Sequence, residues 1–191
     1  MRTKCVDGIT VNQKQLELFT NDPKKGWSIA KTYPFCYASG GLGPKRKQGD
    51  LQVPEGFYHI DRFNPSSNFY LSLGVSYPNE SDRILGHKGN LGGDIFIHGD
   101  CVSIGCVAIT DELIQEVYAV AVVARAKGQR QIPVHIFPGR LDEDGLAKLS
   151  GDEKLIEFWK NLAIGYRWFE EKKKLPRVRV DKGGLYLFSG T

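Results

Sequence analysis

Residues 95–110 read Ile-Phe-Ile-His-Gly-Asp-Cys-Val-Ser-Ile-Gly-Cys-Val-Ala-Ile-Thr, and they hold the side chains best suited to chemistry. His98 closes an apolar run with strand character. Cys106 follows eight residues later, directly after Gly105, and helix-start signals begin at Thr110. A thiol attacks well only as thiolate, and an imidazole is its usual base. Attack on a carbonyl also needs N–H groups aimed at the developing oxyanion. Gly105 permits a sharp backbone turn, so the Gly105 and Cys106 N–H groups can converge on one point.

The same residue types have other readings. Cys106 can be a small core residue and His98 a satisfied strand-end histidine. His98, Cys101 and Cys106 form H-x2-C-x4-C, and His59, His87 or His135 offers a fourth zinc ligand, although zinc sites prefer tighter paired spacings. The zinc deaminase pattern is absent. The glycine-rich loop at 40–50 has no Walker pattern. Asp142-Glu143-Asp144-Gly145 lacks the remaining ligands of a calcium loop and reads as a helix start. Lys45, Arg46 and Lys47 form either a solvated loop or contacts to substrate carboxylates. Tyr77 and Asn79 follow a core strand, where they either line a groove or pack. Asp94 is expected to pair with backbone near the site. Cys101 lies five residues from Cys106, and a disulfide between them would be a redox switch that silences the thiol.

These side chains need a frame, and the patterning is mainly that of strands. Residues 15–19 alternate polar and apolar, residues 21–26 read as a turn, and residues 27–33 return as the second half of a hairpin. Residues 56–60, 68–75, 94–98 and 132–137 are further strands. Leu113, Ile114, Val117, Tyr118, Ala121 and Val122 recur at helical period over 111–127, with Thr110 at the start and Gly128 at the end. Leu155, Ile156, Trp159, Leu162, Ala163, Tyr166 and Phe169 mark a second helix over 152–174, stopped by Pro176. Residues 177–180 and 185–188 suit a terminal hairpin. Trp159, Tyr166 and Phe169 read as core contacts of the second helix.

Length and composition bound the class. A chain of 191 residues with 41% apolar and 25% charged residues can bury a core, and it fits one domain. Twenty-two glycines and nine prolines favour turns and strands over a helical bundle. A net charge of +4 with no basic helix argues against a nucleic-acid partner. No apolar run reaches membrane-spanning length; the longest covers only 117–124. No signal peptide is evident at the start, which leaves a cytoplasmic protein or a mature exported chain as alternatives. Four cysteines, Cys5, Cys36, Cys101 and Cys106, are too few for a disulfide scaffold.

His98-Gly99 followed by Ser103-x-Gly105-Cys106 resembles the active-site motif of the L,D-transpeptidase catalytic domain, the YkuD family. Val53-Pro54-Glu55-Gly56-Phe57-Tyr58-His59-Ile60 is similar to that family's Pro-Glu-Gly strand. Residues 71–79 and 92–99 resemble its central strands. The resemblance covers residues 12–138. The short His-to-Cys spacing, the Ala108-Ile109-Thr110-Asp111 continuation and the aromatic C-terminal helix are closest to its YafK-like branch.

The resemblance implies a mostly β (α+β), sandwich-like fold. One helix follows the active-site cysteine, and a C-terminal helix and hairpin (141–191) pack on the catalytic part (1–140). It implies that Cys106 is the nucleophile and His98 its base, with the Gly99 carbonyl orienting the imidazole. The Gly105 and Cys106 amides would form the oxyanion hole, and Ser103 would steady the loop. Apart from the resemblance, the positions of Tyr77, Asn79 and Arg46 make them the candidate substrate contacts. The substrate would be peptidoglycan stem peptides, attacked at a carbonyl beside meso-diaminopimelate through a thioester, with no cofactor or metal. A wall-attached protein is a further partner, and the periplasm or cell envelope the location. The family motif's usual histidine and arginine are replaced by Ile104 and Ala108, so water and an amine both stand as acceptors. A catalytically inactive peptidoglycan-binding module of the same fold is the alternative.

Overall fold

Period-two alternation of apolar and polar residues writes most of this molecule as strands. The computed structural model describes residues 6–12 and 15–190. Strands β1 (Val6–Asn12), β2 (Gln15–Asp22) and β3 (Gly26–Pro34) form an antiparallel meander. In β2, Leu16 and Leu18 are buried between the half-buried Gln15 and Glu17. The turn into β3 is made by Asp22, whose Oδ1 accepts the Lys24 and Lys25 N–H groups at 2.8 and 3.0 Å. Strands β4 (Gly56–Ser67) and β5 (Tyr70–Val75) form a hairpin. A short helix α1 (Glu80–Leu85) follows, then β6 (Phe96–His98), β7 (Val107–Ala108) and helix α2 (Asp111–Ala126). Strand β8 (Pro133–Ile136), helices α3 (Glu143–Ala147) and α4 (Glu153–Lys172), and the hairpin β9 (Arg177–Val180) and β10 (Tyr186–Ser189) complete the chain.

Eight strands lie in the order β3-β2-β1-β8-β4-β5-β6-β7, and β9 pairs separately with β10. The pairs β1–β8 and β6–β7 are parallel and the others antiparallel. The long strand β4 joins two halves: residues 56–59 pair with β8, and residues from Ile60 onward pair with β5. The mixed α+β architecture matches the expectation.

Helix α2 lies over β1, β5 and β6. Ile114, Val117, Ala121 and Ala124 face the sheet and join Ile60, Leu73, Val75, Ile97 and Val107 in one apolar core. Val122, expected in the stripe, faces solvent instead. Gly128 ends the helix with a left-handed φ of 94° and an N–H to the Arg125 carbonyl. Helix α4 and the terminal hairpin form a second core of Phe137, Leu141, Phe158, Trp159, Leu162, Ala163 and Tyr186. Asp152 caps α4 by accepting the Leu155 N–H at 2.9 Å. Polar ties reach from this segment to the rest of the protein. Trp159 Nε1 donates to Glu55 Oε2 at 2.7 Å, and Ser81 Oγ donates to the Gly184 carbonyl at 2.6 Å.

One cysteine expectation is corrected. Cys101 pairs with Cys36, not with Cys106, which remains a free thiol; Cys5 lies outside the described residues. The reason is strand placement. Cys36 lies just beyond β3, and its N–H donates to the Ala108 carbonyl at 3.2 Å, which brings it beside the 99–106 loop. The bond spans 65 residues of sequence, and closing such a loop in the unfolded chain is worth about 2–4 kcal/mol. The double substitution Cys36→Ser, Cys101→Ser is expected to lose that amount in denaturant titration, as is the reduced protein. Equal midpoints with and without reductant would show that the bond contributes nothing.

Candidate active site

Strand pairing brings the histidine and the cysteine to one face. In the β6–β7 pair, Ile97 lies opposite Val107 and His98 opposite Ala108. Alternation then sets Phe96 and His98 on the same face as Cys106 and Ala108. Both His98 and Cys106 line a groove of about 470 Å³, walled by Phe69, Ser72, Asp94, Phe96, Val102 and Ile104. The Phe96 N–H donates to Cys106 Sγ at 3.4 Å, and that thiol lies 3.6 Å from the Asp94 carbonyl oxygen.

His98 is 2% exposed. Its Nδ1 lies 2.5 Å from the Gly99 carbonyl oxygen. A carbonyl only accepts, so Nδ1 carries the proton and Nε2 is the basic nitrogen of the neutral ring. Phe69, at the tip of the β4–β5 hairpin, packs on the imidazole with ring centres 4.7 Å apart. Gly99 has no room for a side chain, because a Cβ there would come within 2.9 Å of the Phe69 carbonyl. The following loop is pinned at Asp100, whose N–H donates to Asp111 Oδ1 at 2.8 Å, in the first turn of α2.

The loop before Cys106 turns on Ser103. Its Oγ accepts the Gly105 and Cys106 N–H groups at 3.1 and 2.8 Å and donates to the Cys106 carbonyl at 2.8 Å. The two amides do converge on one point, as the glycine suggested, but that point is Ser103 Oγ. Gly105 takes a φ of 130°, and a Cβ would lie 3.1 Å from the Gln52 carbonyl. The 40–52 loop thus backs the loop that leads into Cys106. It is held by Asp50, which accepts from Lys45 Nζ, Arg46 N, Lys47 N and Gln52 N.

Burial sets the resting protonation. It pushes the His98 pKa down, against the Gly99 carbonyl and the charge of Asp100, which raise it. It pushes the Cys106 thiol up, helped by Asp94 and opposed by the Phe96 N–H and the Lys45 ammonium. Near neutral pH the groove therefore holds a protonated thiol and a neutral imidazole.

Three expected substrate contacts lie elsewhere. Tyr77 is buried, with its hydroxyl donating to the Leu91 carbonyl at 3.1 Å. Asn79 caps α1 and donates to Tyr186 Oη at 2.9 Å, because the C-terminal hairpin packs there. Arg46 lies over the Phe158 ring and 3.4 Å from Asp82 Oδ1. Lys45 is buried in an ion pair with Asp50 at 2.7 Å. These are packing and loop-building roles, and none of the four lines the groove. The zinc alternative loses Cys101 to the disulfide, and among the described residues no cluster of His, Cys, Asp or Glu suits a metal ion. Phe69 and Arg62 were not singled out by the sequence. Asp94 pairs with a side chain rather than with backbone: Arg62 Nη1 donates to its Oδ1 at 2.8 Å.

A histidine and a free cysteine thus share one face of the sheet and one groove, with a glycine-serine loop between them. The L,D-transpeptidase catalytic domain model, YkuD, matches residues 7–136, and the chain belongs to that family. It is 36% identical over 173 residues to the YafK protein of Escherichia coli K12, whose name places it with the L,D-transpeptidases; the match covers 90% of this chain and 68% of that one. The YafK protein of Escherichia coli O157:H7 matches equally. In fold, the chain is similar to the helical cell shape determining protein Pgp2 of Campylobacter jejuni, with a TM-score of 0.55 at 17% identity, covering 94% of this chain and 74% of that one. The K307A mutant of Pgp2 gives a TM-score of 0.55 at 21% identity, and there the match spans 89% of this chain but only 57% of the other. Among the described residues no helix is long and apolar enough to cross a membrane.

Proposed function

We propose that this protein remodels peptidoglycan by acyl transfer through Cys106. The thiol attacks a stem-peptide carbonyl beside meso-diaminopimelate while His98 Nε2 takes its proton. The tetrahedral intermediate collapses, the departing amine receives that proton, and a thioester remains on Cys106. An amine then takes the acyl group, or water releases it as acid. The Gly99 carbonyl keeps the imidazole in the required tautomer, as the third member of such a triad must. The Gly105 and Cys106 amides serve the oxyanion only when the Ser103 hydroxyl turns away from them. The observation that carries this reading is the Nδ1–H of His98 locked on Gly99 in the groove that holds the free thiol. The Cys36–Cys101 disulfide supports a cell-envelope location, since such bonds persist in oxidising compartments. A wall-attached protein fits as the group released when water is the acceptor.

The inactive binding module draws its support from Ser103, which occupies both amides in the resting loop. Intact-mass and peptide mapping of the protein after incubation with disaccharide tetrapeptides and with whole peptidoglycan separates the two. An acyl adduct on Cys106 with new cross-links, exchange products or released peptides is expected. Unchanged substrate and an unmodified thiol would leave the binding module.

A further inference from the structure

We propose that Arg62 and Asp94 form a charge-paired clamp at the groove edge that selects an acyl donor bearing a free amino-acid head group, an ammonium and a carboxylate on one carbon. The inference rests on the acyl-transfer reading above and deepens it, by assigning residues to the free end of the diamino diacid.

Among the described residues the groove is otherwise lined by apolar or neutral side chains, and Asp94 is its one carboxylate. It is beside the reacting atom, because its own carbonyl oxygen is 3.6 Å from Cys106 Sγ. Its side chain is 80% exposed and yet held, with Oδ1 taking the Arg62 Nη1 proton at 2.8 Å. The residue sits at a left-handed φ of 54°, which turns it out of the strand that leads to His98. Arg62 is fixed in turn: its guanidinium lies 4.9 Å from the centre of the Phe96 ring in the groove wall, and its Nε donates to Asp61 Oδ1 at 3.2 Å.

The pair is only partly self-satisfied. Two of the guanidinium's five N–H groups serve Asp61 and Asp94, which leaves a fork free to take a carboxylate. Asp94 Oδ2 is left to take an ammonium. Exposed ion pairs add little stability, so packing alone does not account for a charged pair built against the nucleophile. An ammonium at Asp94 also offsets the negative charge that opposes thiolate formation at Cys106. Diaminopimelate carries both head-group charges away from the attacked carbonyl. Lysine at the same position carries the ammonium only, and the amidated diacid lacks the carboxylate.

Calorimetric binding to the Cys106→Ala protein tests the clamp without turnover. The probes are muramoyl peptides containing diaminopimelate, its amide, or lysine. The diaminopimelate peptide is expected to bind at least tenfold tighter than the other two. Arg62→Met is expected to remove that preference by weakening the diaminopimelate peptide alone. Asp94→Asn, which tolerates the same backbone, is expected to weaken all three. The Arg62 side chain is 47% exposed and that of Asp94 80%, and melting curves of the variants check that the fold persists. Equal affinity for the three peptides, or no binding of any, would overturn the clamp. Selective binding without Cys106-dependent products in the intact protein would instead overturn the acyl-transfer reading and leave the clamp standing.

Discussion

His98→Gln is expected to lower kcat on a stem-peptide donor by a factor of about 10²–10⁴, the usual worth of a positioned general base. Cys106→Ala is expected to remove turnover to the detection limit, and the double variant to be no worse than Cys106→Ala, because the two act as one unit. The pH profiles carry more information than the magnitudes. Burial holds the imidazole below its ordinary value and the thiol above its own. The wild-type rate should therefore rise with pH through the depressed histidine pKa, below about 6.5, and stay level through neutrality. Once the base is gone, only thiolate formed by solvent can attack. The His98→Gln rate should then climb steadily with pH towards the raised thiol pKa but stay below wild type, because the departing amine has lost its proton donor. An unchanged profile in His98→Gln would remove the histidine from its role as base.

The residues on which that result depends were legible because they are local. An apolar strand ending in histidine, a glycine before cysteine and a helix cap at Thr110 all fall within residues 95–110. The periods of α2 and α4 and the two hairpins were equally plain, since each is a pattern within one element. What failed was placement across elements. Asn79 looks free in the sequence, but Tyr186 meets it from 107 residues away. Arg46 looks like a surface cation until Phe158 lies beneath it. Cys101 had a near neighbour in sequence and a different one in space, because β3 runs out beside β7. The groove wall has the same origin. β5 lies between β4 and β6, so the hairpin tip carries Phe69 onto His98 and β4 carries Arg62 to Asp94. The six-residue α1 and two-residue β7 are too short for a period to show.

The Glu55–Trp159 contact shows how the C-terminal helix reaches the site, and it yields the largest expected loss of stability. Trp159 is fully buried, and its replacement by alanine is expected to cost about 3–5 kcal/mol. Trp159→Phe keeps most of the volume and removes the N–H, which leaves Glu55 Oε2 without its donor at a cost of about 1–3 kcal/mol. Burial pushes the Glu55 pKa up to about 7, although Trp159 and the Gly43 N–H favour the ionised form. A pKa raised on folding means that the folded state binds the proton more tightly. This contribution is complete below about 4.5 and is lost as pH rises through about 7, a change of about 3 kcal/mol. Asp82, raised to about 6, acts with the same sign at lower pH. His135, lowered to about 4 by burial, acts with the opposite sign, so its gain is complete by about pH 6.5. Between pH 6.5 and 8 Glu55 alone of the three still titrates. Unfolding free energy should fall across that window in the wild type and stay level in Glu55→Gln; parallel curves would discard the assignment. The effect extends to the chemistry, because Glu55 closes the segment whose Gln52 carbonyl backs Gly105. Trp159→Phe should therefore slow acylation of Cys106 more at pH 8 than at pH 6.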